Sequence, residues 1–153
     1  MKRVRALGIL ITGIGLGSMR DFLFINLNYQ IDHVQRSTTT SFAHSRFQAW
    51  VEGHDLPTLL RLKWILAVLF IVAMWALSLL LLRNAGALRR MFRPVTGVFL
   101  GIAAMAAVLH LLSRWIPVGE ASVNLLHAIQ YPVLLIVLQV ALIFFPGIRA
   151  EHH

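Results

Sequence analysis

The chain has 153 residues, 58% of them hydrophobic and 13% charged, and its 14 Lys and Arg against 6 Asp and Glu give a net charge of +8. Soluble domains carry about a quarter charged residues, so this composition excludes an ordinary water-soluble fold. Charge grouped between long apolar runs also removes the nucleic-acid reading that a basic chain otherwise invites. With no Cys in the chain, disulfides, thiolate metal sites, iron–sulfur clusters and a Cys nucleophile are excluded as well.

The apolar runs are long enough to cross a hydrocarbon core about 30 Å thick, which takes about 20 helical residues, and in lipid the backbone must pair within its own segment. The expected fold is therefore all-α: a polytopic membrane protein, one domain over residues 1–153, with a four-transmembrane-helix bundle. Helix one is expected over residues 5–31. Its start, Lys2, Arg3 and Arg5 before Ala6 to Gly17, has the form of a signal peptide. Ser18, Met19, Arg20 and Asp21 make a poor cleavage site, however, and apolar character resumes at Phe22, so an uncleaved anchor is expected. Either the helix continues straight to His33, or it ends near Gly17 and Phe22 opens a re-entrant or interfacial segment.

Residues 35–56 form an outer loop. Within it, Phe42, Phe47, Trp50 and Val51 recur at helical spacing opposite His44, Gln48 and Glu52, the pattern of a short amphipathic helix on the membrane surface. Asp55 and Pro57 start helix two, expected over residues 58–82, since Asp caps and Pro fits a first turn. Helix three is expected over residues 94–115 and helix four over residues 122–145, with a kink at Pro132. Lys2, Arg3, Arg5, Arg83, Arg89, Arg90, Arg93 and Arg149 all fall on one side. That side is expected to be cytoplasmic, which gives an inner-membrane protein with both termini inside. The same basic side can attract anionic lipid head groups.

Most of the unusual chemistry falls on the other side. His33, His44, His54, His110 and His127 are placed outward, and only His152 and His153 inward. Helices three and four are joined by a short connection, so His110 and His127 are each expected about 7 Å below the outer boundary and able to face each other. Ala103, Ala106 and Ala107 leave the helix face beside His110 nearly bare, open to a neighbouring helix or a flat ligand. Glu120, Asn124, His127 and Tyr131 form a polar stripe that must face protein, water or ligand. On helix one, Asp21, Asn28 and Asp32 lie at i, i+7 and i+11, with Asn26, Gln30 and His33 on an adjoining face. Arg20 is in position to neutralise Asp21, although adjacent helical residues point different ways.

The candidate polar cluster is thus Asp21, Asn28, Asp32, His33, His110, Glu120, Asn124, His127 and Tyr131. Three readings stay open for the two histidines: a hydrogen-bonded packing cluster, a functional polar or proton-handling pocket, and axial ligation of a b-type haem. No metal-binding spacing such as HExxH and no GxSxG elbow occurs. Gly13, Gly15 and Gly17 spell GxGxG, but in an apolar helix with no preceding strand. Gly13/Gly17 and Gly97/Gly101 read instead as close-packing faces.

The run through Arg20, Asp21, Asn26, Asn28, Gln30, Asp32 and His33, followed by Ser41, Phe42, Ala43 and His44, resembles small membrane proteins associated with exosortase systems, multipass companions of an envelope-sorting protease. An exosortase itself uses a Cys nucleophile, which this chain lacks. The resemblance therefore implies an accessory protein, and it carries no functional residue across. The leading expectation is a non-enzymatic accessory protein with no cofactor, in contact with membrane lipids and another membrane protein. The rival is an outward-facing site for redox, proton or lipid chemistry on His110 and His127, with haem b as its cofactor option.

Overall fold

The computed structural model describes residues 2–37, 40–113, 115–117 and 119–144. Arg114, Arg149, His152, His153 and the expected helix end at Phe145 lie outside the described residues. Among the described residues the only regular secondary structure is helix: α1 (Lys2–Arg36), α2 (Ser45–Val51), α3 (Leu56–Ala85), α4 (Leu88–Leu112), α5 (Gly119–Gln130) and α6 (Val133–Phe144). Of these, α1, α3 and α4 are long and apolar enough to cross a membrane, and α5 with α6, bent by 51° at their junction, make a fourth span if taken as one broken helix.

The helix ends follow from local chemistry. Asp55 caps α3, its carboxylate accepting from the Thr58 amide at 3.2 Å, with Pro57 in the first turn. That hydrogen bonding from Thr58 holds the Asp55 carboxyl below its usual range. At the other end of α3, Gly86 takes a left-handed φ of 76°, the Gly86 amide donates to the Arg83 carbonyl and the Ala87 amide to the Leu82 carbonyl. This is the Schellman arrangement, in which a residue without a Cβ turns the chain at no steric cost. Because it turns the chain so tightly, α4 begins at Leu88 rather than near Pro94. Arg89, Arg90 and Arg93 therefore stand on the first turns of α4 instead of in an open loop.

α1 is continuous through Arg20 and Asp21. Its 35 residues span about 52 Å at 1.5 Å each, well beyond a hydrocarbon core of about 30 Å. α1 and α3 run antiparallel, so the start of α1 lies beside the end of α3 together with the arginines of early α4; this is the basic end. The other end carries α2 and the described residues that flank it between α1 and α3, and is the loop end.

Two apolar clusters fill the bundle. Towards the basic end, Ala6, Met74, Leu81, Leu82, Val95, Phe99, Ile129, Leu135 and Leu142 pack together. Towards the loop end, Phe24, Leu27 and Ile31 of α1 meet Leu59, Leu66 and Phe70 of α3, and Phe47 and Val51 of α2 complete that cluster. The expected surface helix is thus shorter than its pattern. Phe47 and Val51, one turn apart, face the protein core, while Phe42 and Trp50 are exposed.

Neighbouring helices are also pinned by single hydrogen bonds. The Trp75 indole N–H donates to the Thr96 hydroxyl at 3.1 Å between α3 and α4. The Ser122 hydroxyl donates to the Ala106 carbonyl at 2.8 Å between α4 and α5. The bare face around Ala106 is therefore occupied by a neighbouring helix.

At the Pro132 break the chain comes close to α1. Pro132 has no N–H to continue the helix, and its ring lies on Gly17, where an added Cβ would stand 3.1 Å from Pro132 Cδ. A Cβ on Gly13 would stand 2.6 Å from Leu135 Cδ2, whereas one on Gly15 would meet nothing within 4 Å. The Gly13/Gly17 face is accordingly a packing face within this chain. Gly17→Ala is expected to destabilise the protein by about 1–3 kcal/mol, the range for overpacking, since the proline ring cannot rotate away. Gly15→Ala is expected to stay within about 0.5 kcal/mol of the parent. Thermal unfolding of both variants in detergent checks the contrast.

Candidate functional site

Between the two apolar clusters lies a polar knot centred on Arg20, one residue past the midpoint of α1. Arg20 is 4% exposed. A guanidinium in an apolar surrounding is costly unless its N–H groups find acceptors, and here they do. Nε and Nη2 both donate to Gln130 Oε1, at 3.1 and 2.9 Å. Nη1 donates to Asp21 Oδ1 and to Tyr131 Oη, each at 3.0 Å. The Tyr131 hydroxyl in turn donates to Asp21 Oδ1, and Gln130 Nε2 donates to the Ala67 carbonyl of α3 at 3.4 Å. The guanidinium also lies over the rings of Phe24 and Tyr131, at 4.6 and 4.8 Å from their centroids, a cation–π arrangement. The knot thus ties α1, α3 and the α5–α6 break together, and among the described residues no buried side-chain nitrogen or oxygen lacks a partner.

Asp21 and Arg20 pair although adjacent helical residues diverge, because the long arginine side chain reaches the shared Tyr131 hydroxyl where the aspartate also converges. The knot is closed on one side and open on the other. Arg20 and Gln130 are buried, while the Asp21 side chain is 41% exposed and Tyr131 half-buried. The His127 ring stands beside the Tyr131 ring, with centroids 6.1 Å apart.

A second polar group lies further along α1. Asn26 and Gln30 are buried and hold the loop that follows. Asn26 Oδ1 accepts from the His44 amide at 2.6 Å while its Nδ2 donates to the Phe22 carbonyl at 2.7 Å. Gln30 Oε1 accepts from the Ser41 hydroxyl at 2.9 Å, and the same hydroxyl oxygen accepts from the Ala43 amide at 3.2 Å. Ring contacts of Phe22 with His44 and of Tyr29 with Phe42 lay the loop against α1.

Of the nine residues expected to share a cluster, the structure brings Asp21, Tyr131 and His127 together. Asn28 and Asp32 are exposed, and Asp32 Oδ1 pairs with Arg36 Nε at 2.7 Å on the surface of α1. His33 is half-buried, and Glu120 and Asn124 are exposed. His110 and His127 do not face each other. The Ser122 contact sets Ser122 level with Ala106, and His110 and His127 depart from that level in opposite directions, by one turn and somewhat more. They end about 13 Å apart along the helix axes at 1.5 Å per residue, and the His110 ring meets Trp64 instead, at 5.0 Å. α4 runs on to Leu112, six residues past Ala106, whereas α5 starts at Gly119, three before Ser122, so equal distance from the turn does not mean equal depth.

Arg20, Gln130, Asn26 and Gln30 are the contributors that the expected cluster omits. Their signal was present in the sequence, because polar groups deep in apolar helices need partners. Which face each would take was not. Comparison with protein-family models, with known proteins and with solved structures finds no match.

Gln130→Leu is expected to cost about 3 kcal/mol, because it leaves a buried charge short of acceptors. Combining it with Arg20→Met is expected to be milder than the sum of the two single changes, and a double-mutant cycle from thermal unfolding reads the coupling. Separately, Asn26→Leu releases the His44 amide. Limited proteolysis within residues 37–44 is expected to accelerate severalfold, with cleavage elsewhere unchanged.

Proposed function

We propose that this chain is a four-span membrane protein that serves as a non-enzymatic companion of another membrane protein. The observation that supports this most is the face α4 turns away from the rest of the chain. Gly97, Gly101 and Ala104 are exposed there, and a Cβ on either glycine would meet nothing within 4 Å. Small residues at this spacing let helices approach closely in lipid, where packing and not water exclusion drives association. On α1 the same spacing at Gly13 and Gly17 is covered from within the chain, whereas only 17% of the α4 span is buried, against 39% of α3.

In this reading the basic end is cytoplasmic, because Lys and Arg near span ends remain inside, and both termini lie there. The loop end, with exposed Phe42 and Trp50, faces outward in the inner membrane. The resemblance of residues 20–45 to exosortase-associated proteins makes an envelope-sorting system the partner class, and the lack of Cys assigns the chain an accessory role there.

A second reading, an outward-facing site for proton, redox or lipid chemistry, draws on the open side of the Arg20 knot, where Asp21, Tyr131 and His127 converge. A Soret band or bound metal in the purified protein favours it. For the leading reading, a photo-cross-linker placed at Ala104 in native membranes is expected to capture one defined membrane polypeptide. Gly97→Leu with Gly101→Leu is expected to abolish capture, and Gly15→Leu, equally open on α1, to leave it intact. Capture of a second copy of this chain alone, or of no polypeptide, overturns the companion reading.

A further inference from the structure

The basic end contains a groove that the bundle does not fill. It runs between the first turns of α1 and the last turns of α3, has a volume of about 700 Å³, and its lining includes Arg5, Gly8, Ile9, Leu77, Leu80 and Arg83. Its size is within the range of small-molecule sites, about 300–1,000 Å³. Arg5 and Arg83 stand at the end of the groove nearest the helix termini, and both are exposed. Ile9, Leu77 and Leu80 line it further in. The Thr12 hydroxyl donates to the Gly8 carbonyl of its own helix at 2.9 Å, so it does not interrupt the apolar floor. At Gly8 a Cβ would meet nothing within 4 Å, and the missing side chain leaves the floor open.

We propose that this groove seats an anionic phospholipid, with its phosphate held by Arg5 and Arg83 and one acyl chain laid along Gly8, Ile9, Leu77 and Leu80. Charge selects this occupant. Guanidinium groups present paired N–H donors that match phosphate oxygens. The described carboxylates, Asp21, Asp32, Glu52, Asp55 and Glu120, all lie deeper in the bundle or at the loop end, so none competes for the two arginines. The same asymmetry disfavours a second copy of the chain, which would bring arginine against arginine. A free anion would use the mouth and leave the apolar floor uncovered. The groove requires that α1 and α3 reside in a membrane, and is independent of any partner on α4.

The test is native mass spectrometry of the full chain in mild detergent, titrated with phosphatidylglycerol or phosphatidylcholine. One phosphatidylglycerol per chain is expected to bind saturably, with phosphatidylcholine at least tenfold weaker. Arg5→Gln with Arg83→Gln is expected to weaken phosphatidylglycerol about thirtyfold, the effect of two basic groups at a head-group surface. Arg89→Gln with Arg93→Gln removes equal charge outside the groove and is expected to leave binding unchanged. Gly8→Leu keeps every charge, fills the floor, and is expected to abolish the saturable site. Equal weakening by both arginine pairs, wild-type binding by Gly8→Leu, or displacement by millimolar inorganic phosphate overturns the proposal. If Gly8→Leu does not fold, the two arginine pairs decide it.

Discussion

A guanidinium inside an apolar bundle has to find acceptors for its N–H groups, and the way Arg20 finds them sets the arrangement of the surrounding helices. Gln130 supplies two of its four hydrogen bonds from the last turn of α5, and Asp21 and Tyr131 supply the others. Asp21 stands beside Arg20 on continuous α1, whereas Gln130 and Tyr131 reach the cation from across the interface, at the junction where α5 ends and the chain bends by 51°. Gln130 extends the tie to α3 through the Ala67 carbonyl.

The close approach at Gly17 makes that geometry possible. The Pro132 ring packs where a side chain on α1 would otherwise stand, so the residue that interrupts the helix also sits tightly against its neighbour. Proline and glycine, each unfavourable in the interior of an isolated helix, are complementary here across the interface. The loop end is organised on the same terms. Asn26 and Gln30 face inward and satisfy the backbone and the Ser41 hydroxyl of the loop, which lets α2 insert Phe47 and Val51 into the second apolar cluster.

The two ends consequently differ in character. The loop end is tied down by hydrogen bonds and carries all the described acidic groups except Asp21. The basic end has a groove beside α1 and arginines on α1, α3 and α4. Outward-facing glycines on α4 leave a third kind of surface, flat and open to another helix. The Arg20 knot, the groove at the basic end and the α4 glycine face thus occupy separate parts of a small chain, a division that helps each be probed by substitution without disturbing the others.

Much of this was legible in sequence for simple reasons. Apolar run length dictates helices long enough to span a bilayer, Asp55 with Pro57 marks the start of α3, and the grouping of arginines marks one end as basic. The polar content of α1 and of the segment around His127 announced that something had to be paired there. Pairing itself was decided by tertiary structure, because it depends on helix register and rotation, which periodicity leaves free. Equal spacing from a turn suggested that His110 meets His127, yet the Ser122 contact to Ala106 slides α5 along α4 and parts them. Asp21, Asn28 and Asp32 share a stripe by spacing, yet Asp21 joins the knot while the others face out. Gly13/Gly17 and Gly97/Gly101 are indistinguishable as motifs, and only the positions of Pro132 and Leu135 close one of them and leave the other open. Local sequence determines which groups need partners; the packing of distant helices determines which partners they get.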